Sequence, residues 1–182
     1  MAWSGHRQST FTCLECQLDP PELNWIRSWG HYKLGLEKAL HAFKFQRHDF
    51  LARPLSHLLA ELVRGDGEFD AIVSVPMHRT KLRRRGYNQA ELLAHALSRE
   101  VGVPSRPALL KKVLERQPQS TLNRVDRAAN VRDVFQASTS AAGLNVLLVD
   151  DIYTTGETIR ACGRELIRSK ARSVCAVTVA RA

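Results

Sequence analysis

No run in this chain is apolar over the roughly 18–20 residues that a bilayer-spanning helix needs, so no membrane insertion is expected. The opening residues, Met1-Ala-Trp-Ser-Gly-His-Arg7, lack the apolar core of a secretion signal, which makes the cytoplasm the expected compartment. Cysteine is scarce. Four residues do not make a disulfide framework, and Cys162 and Cys175, set within apolar patterns, read as small buried hydrophobes. The chain has no internal repeat, no low-complexity tract and no helix-turn-helix or other recognisable DNA-reading module. Aromatic residues are only 7% of the sequence, and Tyr87 alone stands beside the main basic run, so no stacking platform for single-stranded nucleic acid is visible.

What is present fits a soluble globule. The 182 residues suffice for one compact domain with a short appendage, at an ordinary 44% apolar and 25% charged content. The net charge of +9 is unevenly spread. Five of the seven residues from 79 to 85 are basic (Arg79, Lys81, Arg83, Arg84, Arg85), and a second band holds Lys111, Lys112, Arg116, Arg124, Arg127 and Arg132. Such bands attract phosphorylated small molecules, pyrophosphate or nucleic acid; a merely solubilising face is the plainer alternative.

Residues 1–30 read as irregular. Leu36, Leu40 and Phe43 predict a helix over 33–45, and a second follows from Leu51, Leu55, Leu58, Leu59, Leu62 and Val63, with Pro54 tolerated in its first turn. Residues 71–75 are a short apolar run ending at Pro76, a buried strand. A basic loop comes next. Asn88 then caps a helix running to about residue 101, with Glu91 placed to reach back as in a capping box and Gly102 marking its end. Residues 104–140 are weakly patterned, with short strands expected at 110–114 and 131–135. Residues 145–149 form a second strong strand, followed by a helix burying Ile159, Cys162, Leu166 and Ile167 and a strand at 174–179. Strand, helix and strand in so short a span make a βαβ unit with parallel pairing.

The chemistry concentrates where that second strand ends, in Val149-Asp-Asp-Ile-Tyr-Thr-Thr-Gly-Glu-Thr158. Ligands of open parallel sheets bind at the carboxyl ends of strands, and the helix that follows offers free N–H groups and a positive dipole end to an anion. Gly156 permits a tight turn and a close backbone approach, and Thr154, Thr155 and Thr158 add hydroxyl donors, so the turn suits a monophosphate. Asp150 and Asp151 would repel phosphate; they make sense as acceptors for a sugar diol or as partners of a hydrated Mg²⁺. Phosphate, diol and metal together describe a ribose 5-phosphate. An ordinary capped strand-to-helix connection is the alternative, and the full succession of strand, acids, Thr-Thr-Gly-Glu-Thr and helix speaks against it.

This run resembles the phosphoribosyl pyrophosphate (PRPP) signature of type I phosphoribosyltransferases. More narrowly, the chain resembles the ComF family, associated with natural competence, through Val75-Pro-Met-His78, Arg84-Arg-Gly-Tyr-Asn-Gln-Ala-Glu-Leu-Leu93, Gln119-Ser-Thr-Leu-Asn-Arg124 and Arg127-Ala-Ala-Asn-Val-Arg132. The resemblance covers residues 32–182. It implies an α/β fold: a type I phosphoribosyltransferase-like core over 31–182, mainly parallel sheet flanked by helices, with a hood from residues 17–70. Asp150 and Asp151 would serve the ribose hydroxyls and Mg²⁺, and Thr154, Thr155, Gly156, Glu157 and Thr158 the 5-phosphate. Pro76, Met77, His78 and Arg79 would meet the pyrophosphate, and residues 110–132 would form a flexible lid. His78 is open to two readings, a general acid or a structural histidine.

The resemblance also implies two zinc-knuckle Cys pairs ahead of the core. Only Cys13-Leu-Glu-Cys16 is present, in the place of the second, within an N-terminal segment of residues 1–30. Four ligands are the norm for structural Zn²⁺, and His6 or His31 would have to complete the set. Two functions stay open. One is a Mg²⁺-dependent phosphoribosyltransferase acting on a base or other nucleophile. The other is a PRPP-binding protein of DNA uptake, with single-stranded DNA met by Arg83, Arg84, Arg85, Arg124, Arg127 and Arg132 and with other uptake proteins as partners. A PRPP-responsive regulator is a weaker third.

Overall fold

The computed structural model describes Gln17, residues 22–113 and residues 134–182. In chain order the described elements are β1 (Trp25–His31), α1 (Leu34–Phe45), α2 (Ala52–Val63), β2 (Ala71–Ser74), α3 (Arg79–Arg85), α4 (Gln89–Val101), β3 (Leu110–Lys112), β4 (Phe135–Ala137), β5 (Asn145–Tyr153), α5 (Glu157–Arg168) and β6 (Ser173–Arg181). Among the described residues no helix is long and apolar enough to cross a membrane.

Four strands make one sheet in the order β1-β6-β5-β2, every neighbouring pair parallel. The strand period of two sends alternate side chains to opposite faces. Val146 and Leu148 join Ala71, Val73, Val174 and Ala176 in one apolar cluster, whereas Leu147 and Val149 join Ile72, Cys175 and Val177 in another. With both faces covered, these strands are apolar at nearly every position. On the first face lies α5, burying Ile159, Cys162 and Leu166. On the second lie α2 and α4, through Leu55, Leu59, Leu93 and Leu97. Cys162 and Cys175 are free and buried.

Three expectations change. Residues 25–31, read as irregular, form the edge strand β1, which straddles the boundary drawn at residue 30. Its only half-buried pattern hides the periodicity, and pairing with β6 creates it: Ser28 Oγ sits 2.7 Å from Thr178 Oγ1, and Asn24 N–H donates to the Val174 carbonyl at 2.8 Å. The basic stretch after β2 is no loop but the helix α3. His78 Nδ1 accepts from Thr80 N–H at its start, Gly86 adopts φ 89° at its end, and Arg83, Arg84 and Arg85 occupy the last turn, where the dipole favours cations. Finally, β4 lies at Phe135–Ala137 rather than over 131–135, pairing antiparallel with β3.

The α4 start is as read at Asn88, whose side chain accepts from Ala90 N–H at 3.2 Å. Glu91, offered as the second half of a capping box, instead lies 3.9 Å from His95 one turn on. Residues 104–106 extend the sheet past β2, bonding to both main-chain groups of Ile72 at 2.9 and 2.8 Å.

Candidate functional site

The pairing of β2 with β5 ends at Ser74↔Val149, but β5 continues to Tyr153, held on its other side by β6 through Asp150↔Thr178, Ile152↔Ala180 and Tyr153↔Arg181. The strand therefore extends past the expected end at residue 149. The two acids are strand residues projecting beyond a shorter neighbour, not members of a loose turn.

Strand alternation then separates them. Asp150 continues the face of Leu148 and lines a small cavity of about 40 Å³ with Tyr153, Thr154, Gly156, Thr158 and Ile159. Asp151 continues the face of Val149, is 7% exposed, and meets the Lys44 ammonium, with Nζ 3.0 Å from Oδ2. The Asp151 N–H donates to Asp150 Oδ1 at 2.9 Å. Burial, and then the neighbouring Asp151 charge, push the Asp150 carboxyl up to about 8 from 3.8, against the opposing pull of that N–H and of Lys44. Burial, with Asp150 nearby, also raises the Cys162 thiol well above its usual value.

The turn is built around Gly156. It adopts φ 74°, and a Cβ there would stand 2.8 Å from Tyr153 Cε2 and closer still to Cζ and Oη of that phenol. Gly156 is buried, while Thr154, Thr155, Glu157 and Thr158 are exposed around it. Helix α5 begins at Glu157, directly after the turn that leaves β5, so the N–H groups of its first turn have no partner within the helix; that of Glu157 lies 3.5 Å from Thr155 Oγ1.

The segment of Pro76, Met77, His78 and Arg79 leaves β2 beside this site. Val75 N–H donates to the Val149 carbonyl at 2.9 Å, and Asn88 Nδ2 donates to the Val75 carbonyl at 3.0 Å. His78 is the cap of α3.

A family model described as the phosphoribosyl transferase domain matches residues 45–182. Competence protein F of Haemophilus influenzae is 32% identical over 163 residues, 85% of this chain and 71% of that protein. The chain belongs to the ComF family of phosphoribosyl transferase domains. DNA utilization protein YhgH of Escherichia coli is 30% identical over 172 residues, 91% of this chain and 76% of that protein. Among solved structures, the glutamine PRPP amidotransferase of Bacillus subtilis aligns with a TM-score of 0.51 at 18% identity, over 71% of this chain and 26% of that one. That is a likeness of fold.

In this ComF-family chain the basic residues divide. Arg83 and Arg84 are exposed. Arg85 is engaged: its Nη1 donates to Gln89 Oε1 at 2.8 Å and its guanidinium lies 5.3 Å from the Phe45 ring centroid. Arg124, Arg127, Arg132, Cys13 and Cys16 lie outside the described residues. Among the described residues no group of three or more His, Cys, Asp or Glu side chains is placed to hold a metal. Two carboxylates at a strand end do suit Mg²⁺ that arrives on a phosphorylated ligand, because Mg²⁺ commonly takes one or two carboxylates plus substrate phosphates.

Sequence reasoning missed the roles of five residues. Lys44 reaches Asp151 from α1, and Tyr87 and Gln89 both donate to the Phe43 carbonyl, Gln89 at 3.5 Å. Phe45 and Phe50 are 62% and 67% exposed, a pair of outward aromatics that no spacing announced. The one available signal was the Tyr87-Asn-Gln89 motif, whose side chains proved to be clamps.

Proposed function

We propose that this ComF-family chain binds PRPP together with Mg²⁺ at the carboxyl end of β5 and acts in the cytoplasm in DNA uptake. One observation carries the reading: Asp150, the Gly156 turn and the start of α5 surround a single cavity. The first-turn N–H groups and the Thr154, Thr155 and Thr158 hydroxyls suit the 5-phosphate. Asp150 and Asp151 suit the ribose hydroxyls, and Pro76–Arg79 the pyrophosphate. Mg²⁺, when bound, would neutralise pyrophosphate charge beside the two carboxylates. The naming of the relatives as competence and DNA utilization proteins supports the role in uptake. For single-stranded DNA as a partner, Arg83 and Arg84 offer phosphate contacts, and Phe45 and Phe50 offer the aromatic faces that bases stack on.

The intact cradle also favours a second reading, an active phosphoribosyltransferase. Transfer expels pyrophosphate from an oxocarbenium-like ribose, so the protein's work there is charge neutralisation and water exclusion. Calorimetric titration with PRPP, with and without Mg²⁺, followed by a pyrophosphate-release assay over a panel of nucleobases, separates the two. Mg²⁺-dependent binding without turnover supports the binding protein, and turnover supports the transferase. Asp150→Asn with Asp151→Asn should abolish binding while the fold survives. Failure of the wild-type protein to bind PRPP would sink both readings.

A further inference from the structure

We propose that Lys44 belongs to the ligand-binding set of this site, holding Asp151 in place and then serving the pyrophosphate of the incoming sugar ligand. The inference rests on the PRPP reading above. Lys44 stands one residue before the stretch 45–182 that matches the family model.

Position comes first. Lys44 is in the last turn of α1, with Nζ 3.0 Å from Asp151 Oδ2. Its side chain is 21% exposed against 10% for that of Asp151, so the carboxylate is enclosed while part of the lysine still reaches solvent. An ammonium carries three donors on a flexible four-carbon stem. One donor satisfies Asp151, which leaves two for oxygens that approach from the open side. When Asp151 turns to accept from a sugar hydroxyl, the same stem can swing to a phosphate without any helix movement.

The frame around Lys44 gives the second argument. The Phe43 carbonyl, one residue before it, accepts from Tyr87 Oη and Gln89 Nε2. Phe45, one residue after it, lies under the Arg85 guanidinium, and Arg85 is itself bonded to Gln89. Asn88, from the same short stretch, donates to the Val75 carbonyl at 3.0 Å, where the Pro76–Arg79 segment begins. The Arg85–Gln89 stretch therefore ties two things to one another: the helix end bearing Lys44 and the segment assigned to pyrophosphate. A lysine needed only to neutralise Asp151 would not require a shared mount with that segment.

The test separates a pyrophosphate contact from a purely positioning one. PRPP with Mg²⁺, inorganic pyrophosphate with Mg²⁺, and ribose 5-phosphate are each titrated into the wild-type protein, Lys44→Gln and Lys44→Arg. Gln keeps a donor near Asp151 but removes the charge. It should weaken PRPP and pyrophosphate by about 10- to 100-fold, the range for a charge-assisted hydrogen bond, and ribose 5-phosphate by a clearly smaller factor, because that ligand loses only the positioning of Asp151 and no pyrophosphate contact. Lys44→Arg should recover most of the loss. An equal loss for ribose 5-phosphate makes Lys44 a positioning group and overturns the proposal, as does an unchanged PRPP affinity.

Should Lys44→Gln not fold, amine labelling of the wild-type protein decides instead. PRPP and pyrophosphate should slow modification of Lys44 and ribose 5-phosphate should not; equal rates overturn the proposal. A wild-type protein that binds none of the three ligands removes the PRPP reading itself, a result distinct from any Lys44 effect.

Discussion

The phenol of Tyr153 packs directly against Gly156, close enough that a Cβ on the glycine would stand 2.8 Å from Tyr153 Cε2. The last strand residue thus sets the shape of the turn that follows it, and that turn leads straight into the first residues of α5. Only glycine satisfies both demands there, the positive φ and the missing side chain.

Gly156→Ala is expected to cost about 1–3 kcal/mol through backbone strain and overlap. For a protein of this size that lowers Tm by about 2–4 °C per kcal/mol. PRPP affinity should fall with it. Differential scanning calorimetry and calorimetric titration give both readings, and an unchanged Tm would mean that Tyr153 swings clear at no cost.

Asp150 gives a pH dependence with a definite sign. Its carboxyl is raised to about 8 in the folded protein from an ordinary 3.8, chiefly by burial and next by Asp151. Between those values the unfolded chain releases the proton and the folded one retains it, so stability declines as pH rises through this window and levels off above it. Asp150→Asn has nothing to titrate there. Measured without ligand, its Tm advantage over the wild-type protein should widen from pH 4.5 to pH 8 by at least about 2 °C, equivalent to half a kcal/mol or more. A difference that stays flat with pH would contradict the burial of this carboxyl.

Asn88 performs two tasks with one amide: its oxygen accepts from Ala90 N–H and its nitrogen donates to the Val75 carbonyl. Asn88→Ala should cost about 2 kcal/mol or more from a lost cap and an orphaned buried carbonyl. Asn88→Asp keeps the cap but turns an acceptor toward that carbonyl, so it should rescue little. Urea denaturation of the three proteins checks this; full rescue by Asp would show that only the cap matters.

The arginines of α3 should separate by experiment as they do by contact. Arg83→Ala with Arg84→Ala should weaken single-stranded DNA binding and lower the slope of log affinity against log salt by about 2, one for each phosphate contact removed. Arg85→Ala should chiefly lower stability, by about 1 kcal/mol for the lost bond to Gln89. Fluorescence anisotropy across a salt series and thermal melts supply the two readouts. A double variant that binds DNA as tightly as the wild type removes α3 from the interface.

Much of the chain was legible because local rules and tertiary structure agree. The apolar runs of β2, β5 and β6 cannot be half-exposed, so they had to be parallel strands covered on both faces. The Leu and Val spacing of α2 and α4 left one buried face each. Where the rules conflict, reading failed. Trp25–His31 mixes Arg27 and Ser28 among its tryptophans and becomes a strand only because β6 offers an edge and Asp66 offers Arg27 an ion pair. Arg79–Arg85 looked like a loop for want of an apolar face, yet caps at His78 and Gly86 suffice for a short helix.

The sequence by itself determined the succession at the end of β5: a strand, two acids, threonines, one glycine and a helix in strict order, the local pattern on which the proposed PRPP site rests. Only the tertiary structure decided how the two acids divide. The strand period turns Asp150 toward the cavity and α5, and Asp151 toward α1, where Lys44 waits from more than 100 residues earlier in the chain. No spacing rule can announce that pair, because its geometry is set by Tyr87, Asn88 and Gln89 holding a helix end against a strand end. Local pattern lays out the strand, turn and helix; packing over long sequence separation decides which charges meet there.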